Sequence, residues 1–392
     1  MQISARSASV KASATVVINA KAMQLKSQGI DIINLSVGEP DFDTPDSIKQ
    51  AAISAIQAGR TKYTAVDGIP ELKDAIIEKF NTENHLSYAR EQILVSCGAK
   101  QSFYNLMQAI LNDGDEVIIP APYWVSYPAM VALAGGVSVM VSTDVSSRFK
   151  ITAEQLEKAI TPKTRLLILN SPSNPTGMAY TETELTALAE VLLKHPHVLI
   201  ASDDMYEHIL WGINPFVNIV NVCPALMDRT IVCNGVSKSY AMTGWRIGYA
   251  AGPVAIIKAM TKIQSHSTSN PTSISQYASI AALKGEKQFI ANLKVVFKER
   301  HDFTQRALAA IPGVICPPAD GAFYLFPNVE KAIARQNLKD DIALSELILE
   351  KAHVAVVPGT EFGAPGYIRL SYATNLETLK KAVERMAQYI SE

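Results

Sequence analysis

The chain has 392 residues, 48% hydrophobic and 19% charged, and its 36 Lys and Arg against 37 Asp and Glu leave a formal net charge of −1. A chain of this length buries roughly three quarters of its unfolded surface, so it folds without disulfide or metal staples, and at about 150 residues per domain it has room for two or three domains. The charge balance excludes bulk attraction to nucleic acid or an anionic membrane, and no apolar run reaches the roughly 18 to 20 residues of a membrane helix.

Residues 1–22 mix basic and small side chains without the continuous apolar core of a secretory signal, so a cytoplasmic location is expected. Ile32–Leu35 is a short strand-like run. From there, apolar strand-like runs alternate with helical patterns. Gln92–Cys97 predicts a strand and Gln101–Leu111 a helix; Glu116–Pro120 is the next strand, Tyr127–Leu133 a helix and Val137–Val141 a strand. Arg165–Asn170, Val198–Ser202 and Thr230–Cys233 are further strands, with helical patterns at Thr181–Leu193 and Ile256–Met260. The strand runs are short, β-branched and almost wholly apolar, as in strands covered on both faces. They predict an α/β domain with a mostly parallel sheet, spanning residues 46–290.

A long helical stretch at Phe289–Ala310 leads out of that domain, followed by Gly321–Pro327, a helix near Ile342–Lys351, runs at Val354–Val357 and Tyr367–Tyr372, and a last helix at Leu376–Tyr389. These predict a smaller α/β domain built from both chain ends, residues 1–45 and 291–392.

The four cysteines form no CxxC pair and read as free thiols in a reducing compartment. The seven histidines form no HExxH and no zinc-spaced cluster, so no metal site is expected; His195 and His197 read as surface residues. Ligands of open α/β sheets bind beyond the carboxyl ends of the strands. Here those ends carry Gly98, Ala99 and Lys100, then Asn170–Gly177, then Asp203 and Tyr206, then Ser237 and Lys238, with Arg246 just beyond. No GxGxxG follows the first strand and no GxxxxGK[ST] occurs, which disfavours dinucleotide and nucleoside-triphosphate binding.

Six segments, in order along nearly the whole chain, resemble the class I aminotransferases of the aspartate aminotransferase fold, which are pyridoxal-phosphate enzymes. They are SVGEPDFDTP (36–45), KYTAVDGIPELK (62–73), SPSNPTG (171–177), SDDMYEH (202–208), SKSYAMTGWRIGY (237–249) and YIRLSYA (367–373). NPTG alone is a weak signal; the ordered set is specific. The resemblance implies a large sheet domain plus a smaller α/β domain. It also implies that Lys238 bonds the cofactor aldehyde as an imine and moves the substrate proton. Asp203 is implied as the carboxylate on the pyridine nitrogen, although adjacent Asp204 stands one residue away as an alternative. Asn174 and Tyr206 are implied as donors to the phenolic oxygen, though Asn174 can also simply shape the turn before Pro175. Trp124 is implied to stack on the ring. Gly98, Ala99, Ser237 and Arg246 are implied to hold the phosphate, with Gly235 standing where many relatives have a further serine. Tyr63 is implied to reach the phosphate of a neighbouring subunit, hence a homodimer with shared sites.

Arg369 is implied to clamp the substrate α-carboxylate, with Gly38 alongside. Many aspartate aminotransferases use an arginine from the other subunit for the distal carboxylate, but residues 264–270 here contain none. A bacterial branch of the family carries a lysine on the phosphate-binding helix, which Lys100 matches, and Thr15 is a second candidate contact. The function implied is ping-pong amino transfer from L-aspartate to 2-oxoglutarate through pyridoxal and pyridoxamine forms. Rival readings are prephenate, aromatic, alanine or kynurenine substrates, a lyase of the same fold, and a fold retained as a regulatory binding module.

Overall fold

The computed structural model describes residues 3–10, 12, 14–212 and 215–391. Twelve strands occur among them: β1 (Ile33–Asn34), β2 (Ile93–Ser96), β3 (Glu116–Ala121), β4 (Val137–Ser142), β5 (Thr164–Asn170), β6 (Leu199–Asp203), β7 (Thr230–Gly235), β8 (Gly248–Ala251), β9 (Tyr324–Leu325), β10 (Val354–Ala355), β11 (Val357–Pro358) and β12 (Ile368–Ser371).

Seven of them form one sheet in the order β2-β8-β7-β6-β5-β3-β4. The pairings from β7 through β4 are parallel, and β8 runs antiparallel to both its neighbours. Successive side chains of a strand face opposite ways, and both faces are covered here. On β5, Leu166 and Ile168 enter a core with Phe103, Met107 and Met260 from helices Ala99–Ile110 and Val254–Ser265. Leu167 and Leu169 enter a second core with Leu72, Ile76, Phe80, Leu188 and Ala278, from helices Pro70–Asn84, Glu182–Lys194 and Ser273–Lys284. The all-apolar strands read from the sequence are therefore sandwiched between helices, as expected.

A third core joins Phe297 of the long helix Gln288–Ala309 to Leu325, Val354, Leu370 and Met386, and it includes Ile33 and Leu35. The pairing behind this is β1 with β10 in parallel, Ile33 opposite Val354, while β12 lies between β11 and β9. The N-terminal run therefore packs on elements from the far end of the chain. The molecule is a large α/β unit with a smaller α/β unit beside it.

Three details differ from the sequence reading. Gly248–Ala251 is a strand that carries no strand pattern in the sequence, because two of its four residues are alanine and one is glycine. Gly248 is needed there: a Cβ would stand 2.1 Å from the backbone nitrogen of Ala99. Val354–Val357, read as one run, divides between two sheets, Val354 and Ala355 pairing with β1 and Val357 with β12. The helix expected near Ile342–Lys351 runs as a regular α-helix only over Asp341–Leu347 and then widens through Ile348–Ala352.

Candidate active site

The carboxyl ends of β2, β5, β6 and β7 converge on a cavity of about 310 Å³, lined on its other side by the N-terminal helix Ala14–Ser27 and by β9 and β12. Lys238 and Asp203 line it from the sheet side, Asn174 and Tyr206 from the loops after β5 and β6, and Arg369 from β12. Ala99, Lys100, Trp124, Ser237, Arg246, Gly38 and Thr15 also line it.

The Lys238 Nζ donates a 2.6 Å hydrogen bond to the Gly38 carbonyl. Burial pulls its pKa down to about 8, with the cations of Arg246, Arg369 and Lys100 acting in the same direction against Glu39. Asp203 closes β6 and is buried, and its Oδ2 accepts a 2.5 Å bond from the Tyr127 hydroxyl. Burial pushes its carboxyl up to about 6, while the Tyr127 bond and the Lys238 charge oppose that rise. Asp204 points elsewhere, accepting from Ser202 Oγ and Asn218 Nδ2, both at 2.6 Å. Strand alternation thus gives the cavity to Asp203 and the buried polar network to Asp204.

Arg369 is 2% exposed. Its Nη1 donates to Asn174 Oδ1 at 2.9 Å and its Nη2 to the Ser36 carbonyl at 2.5 Å, while its Nε is buried without a partner. The guanidinium lies 4.6 Å from the Tyr324 ring centroid and 5.0 Å from that of Phe362, so it is held flat between aromatic faces. The Tyr324 hydroxyl meets that of Tyr206 at 2.8 Å. Tyr324 lines the cavity, whereas the sequence offers it only as part of the segment Gly321–Pro327 in the smaller domain. Its one sequence signal was a tyrosine inside an otherwise apolar segment.

At the other end, Gly98 has φ +85° at the start of helix Ala99–Ile110, and a Cβ there would stand 2.2 Å from Arg246 Nη2. Only glycine, without a Cβ and tolerant of positive φ, leaves room for that guanidinium beside the helix start. Arg246 is fixed by its bonds to the carbonyls of Thr243 at 2.8 Å and Cys97 at 3.2 Å. A serine at Gly235 would be tight: its Cβ would stand 3.0 Å from the Ile247 carbonyl oxygen and 3.1 Å from Gly248 Cα, so those neighbours would have to shift by a few tenths of an ångström. The Lys100 ammonium stands 5.1 Å from the Trp124 ring centroid, and burial together with Arg246 lowers its pKa. Thr15 Oγ1 is buried with no partner. Tyr63 is not among the residues lining this cavity and is 92% exposed.

The family profile described as "Aminotransferase class I and II" matches residues 30–386. The chain belongs to this family. It is 54% identical to an aspartate/prephenate aminotransferase of Nitrosomonas europaea over the full length of both chains. It is 51% identical to an aspartate aminotransferase of Geobacillus stearothermophilus, covering 100% of this chain and 99% of the other. Among solved structures, the aspartate aminotransferase of Rhizobium meliloti superposes with a TM-score of 0.96 at 49% identity, covering 100% and 99% of the two chains. That of Thermus thermophilus with maleate gives 0.94 at 44%, covering 99% and 100%. The protein is therefore a pyridoxal-phosphate-dependent aminotransferase. The donor set of the cavity fits that cofactor: a lysine amine, a strand-end carboxylate, an anion cradle of Gly98 with Arg246, and the unpartnered Arg369 Nε for a further anion.

Proposed function

We propose that this aminotransferase moves the amino group of L-aspartate to 2-oxoglutarate, giving oxaloacetate and L-glutamate in two ping-pong half-reactions. The observation that carries the reading is the presence of two substrate-facing cations, Arg369 and Lys100, on the cavity that holds the Lys238 amine. A dicarboxylic amino acid brings two carboxylates, and each needs an opposite charge once desolvated. The names of the bacterial relatives, and the dicarboxylate maleate with the Thermus enzyme, support the same substrate class.

When bound, pyridoxal phosphate supplies the sink for negative charge developing at the substrate α-carbon. Asp203 would hold the pyridine nitrogen, Asn174 and Tyr206 the phenolic oxygen, and Trp124 one ring face. Gly98, Ala99, Ser237 and Arg246 would hold the phosphate, joined by Tyr63 from a second copy of the chain. Arg369 binds the α-carboxylate in a fork and sets the direction of the Cα–H bond, with the Gly38 backbone alongside. Lys238 Nζ takes the proton from that carbon and would deliver it to the cofactor's C4′, as amino transfer requires; its lowered pKa, about 8, leaves roughly a tenth of the free amine in the neutral, proton-accepting form at pH 7, far more than an ordinary lysine has. Lys100 pairs with the distal carboxylate, and the unpartnered Thr15 hydroxyl supplies a hydrogen bond beside it.

A second reading adds prephenate as an amino-group partner, because the Nitrosomonas relative is named for both substrates. We assign residues 46–290 to the cofactor-binding domain and residues 1–45 with 291–392 to the small domain, a division supported by the β1–β10 pairing. A cytoplasmic homodimer acting on small molecules, without nucleic acid or membrane, completes the proposal; among the described residues no helix is long and apolar enough to cross a membrane. The test is a panel of amino donors with 2-oxoglutarate, scored for glutamate and the matching keto acid. L-Aspartate should give the highest kcat/KM. Higher values for alanine, phenylalanine or kynurenine would overturn the substrate assignment.

A further inference from the structure

Tyr127 lies outside the cavity, on the helix Ser126–Leu133, and is fully buried behind the sheet ends. Its two ends touch two different groups that face the cofactor space. The hydroxyl donates to Asp203 Oδ2 at 2.5 Å. The ring stands edge-on to Trp124, with centroids 5.2 Å apart and planes at 90°, and is backed by Phe103 at 5.2 Å. The hydroxyl meets Asp203 on the side away from the cavity, in a position where Tyr127 is 1% exposed, so losing it leaves Asp203 Oδ2 without that donor.

We propose that Tyr127 is a positioning residue for the cofactor: its hydroxyl fixes and charges the Asp203 carboxylate, and its ring edge sets the angle of the Trp124 indole. This rests on the assignment of Asp203 to the pyridine nitrogen. The other Asp203 oxygen receives only a 3.3 Å contact from the Met205 N–H, so the Tyr127 bond is the short one that orients the group. Besides Tyr127, the groups facing Asp203 are Lys238, whose cation favours the carboxylate, and the buried Cys233 and Tyr206. Burial and the neighbouring carboxylate hold the Tyr127 proton firmly on its oxygen, so it serves as a permanent donor. Without that donor, Asp203, already raised to about 6, shifts further toward its neutral acid. A neutral acid no longer pairs with a protonated ring nitrogen.

Tyr127→Phe removes the oxygen and keeps the ring. In the purified full-length holoenzyme, the rate of cofactor loss on dilution should rise about 10-fold, the size expected for a lost hydrogen bond to a charged group. The acid limb of the kcat–pH profile should move to higher pH while KM for aspartate stays within about twofold. An increase in cofactor loss of less than about threefold, with an unmoved acid limb, would overturn the proposal. Wild-type protein gives a check independent of any variant's folding: proton NMR should show a slowly exchanging, strongly downfield hydroxyl proton that disappears when Tyr127 is replaced or is absent altogether if the bond does not exist. Asp203→Asn separates the two levels of the argument. If it leaves cofactor loss unchanged, the assignment of Asp203 fails; if it accelerates loss and Tyr127→Phe does not, only the role of Tyr127 fails.

Discussion

In the proposed reaction, Lys238 depends on where its amine has been placed rather than on lysine chemistry alone. Burial and three neighbouring cations bring its pKa from 10.5 to about 8, so the neutral amine is populated well below the ordinary lysine range. The covalent capture of pyridoxal phosphate by the apoenzyme should therefore speed up with pH and level off just above 8. Continued acceleration toward 10.5 would contradict the burial argument. Borohydride reduction followed by peptide mapping should leave the pyridoxyl label on Lys238 and on no other lysine. Lys100 poses a different question, because its position beside Trp124 and Arg246 suits either a substrate carboxylate or the cofactor phosphate. Losing one charge-assisted hydrogen bond costs on the order of 2 to 3 kcal/mol, or roughly 30- to 150-fold in kcat/KM. Lys100→Ala should impose that loss on aspartate and spare phenylalanine when pyridoxal phosphate is saturating. Equal losses for both donors would return Lys100 to phosphate support.

Behind the site, the helix Pro70–Asn84 is pinned to the sheet ends by a buried ion pair. Lys79 donates to Glu207, the residue after Tyr206, and also to Asn84 Oδ1 at 2.6 Å. Glu207 further accepts from Asn84 Nδ2 at 2.6 Å and Asn234 Nδ2 at 2.7 Å. Burial raises the Glu207 pKa, but the Lys79 and His208 charges outweigh it and hold the carboxyl below its ordinary value. A carboxyl lowered in the folded state contributes stability above its unfolded pKa and loses it as pH falls through the folded one. Lys79→Met leaves that buried carboxylate without its ammonium partner and should cost about 3 to 5 kcal/mol by urea unfolding near neutral pH. Adding Glu207→Leu should restore part of it. A loss under about 1 kcal/mol for Lys79→Met would mean water reaches the pair.

At the scale of the whole molecule, the cavity contains every predicted cofactor group except two: Gly98, which borders it against Arg246, and Tyr63. Tyr63 stands 92% exposed, and Ile53 and Ile56 of the helix Asp46–Gln57 are 45% and 52% exposed. The proposed homodimer would cover these side chains. Complementation tests the sharing directly. Mixed dimers of Tyr63→Ala and Lys238→Ala chains contain one site with both an intact lysine and an intact tyrosine, provided the tyrosine crosses to the other subunit. Such dimers should recover about half the wild-type rate, one of two sites, while each parent stays impaired. No recovery on mixing would place Tyr63 in its own chain's site or in none.

Six of the seven strands of the main sheet, all but β8, are legible in residue order because each is a short apolar run bounded by turn chemistry, and such runs are local properties. The residues at their carboxyl ends were legible for the same reason: once Arg165–Asn170 is a strand, Asn174 must lie just past its end. Lys238, Asp203 and Arg369 were identified from ordered motifs along the chain. Decisions that depend on which distant segments touch were not available in that way. The choice between Asp203 and Asp204 follows from the pairing of β6 with β7 and from the networks on its two sides. β8 is a strand only because a gap between β2 and β7 accepts glycine and alanine. Tyr324 and Tyr127 lie 118 and 76 residues from their partners Tyr206 and Asp203. Sequence fixes which side chains are available at each strand end; folding alone decides which distant groups come close enough to share a proton or a charge.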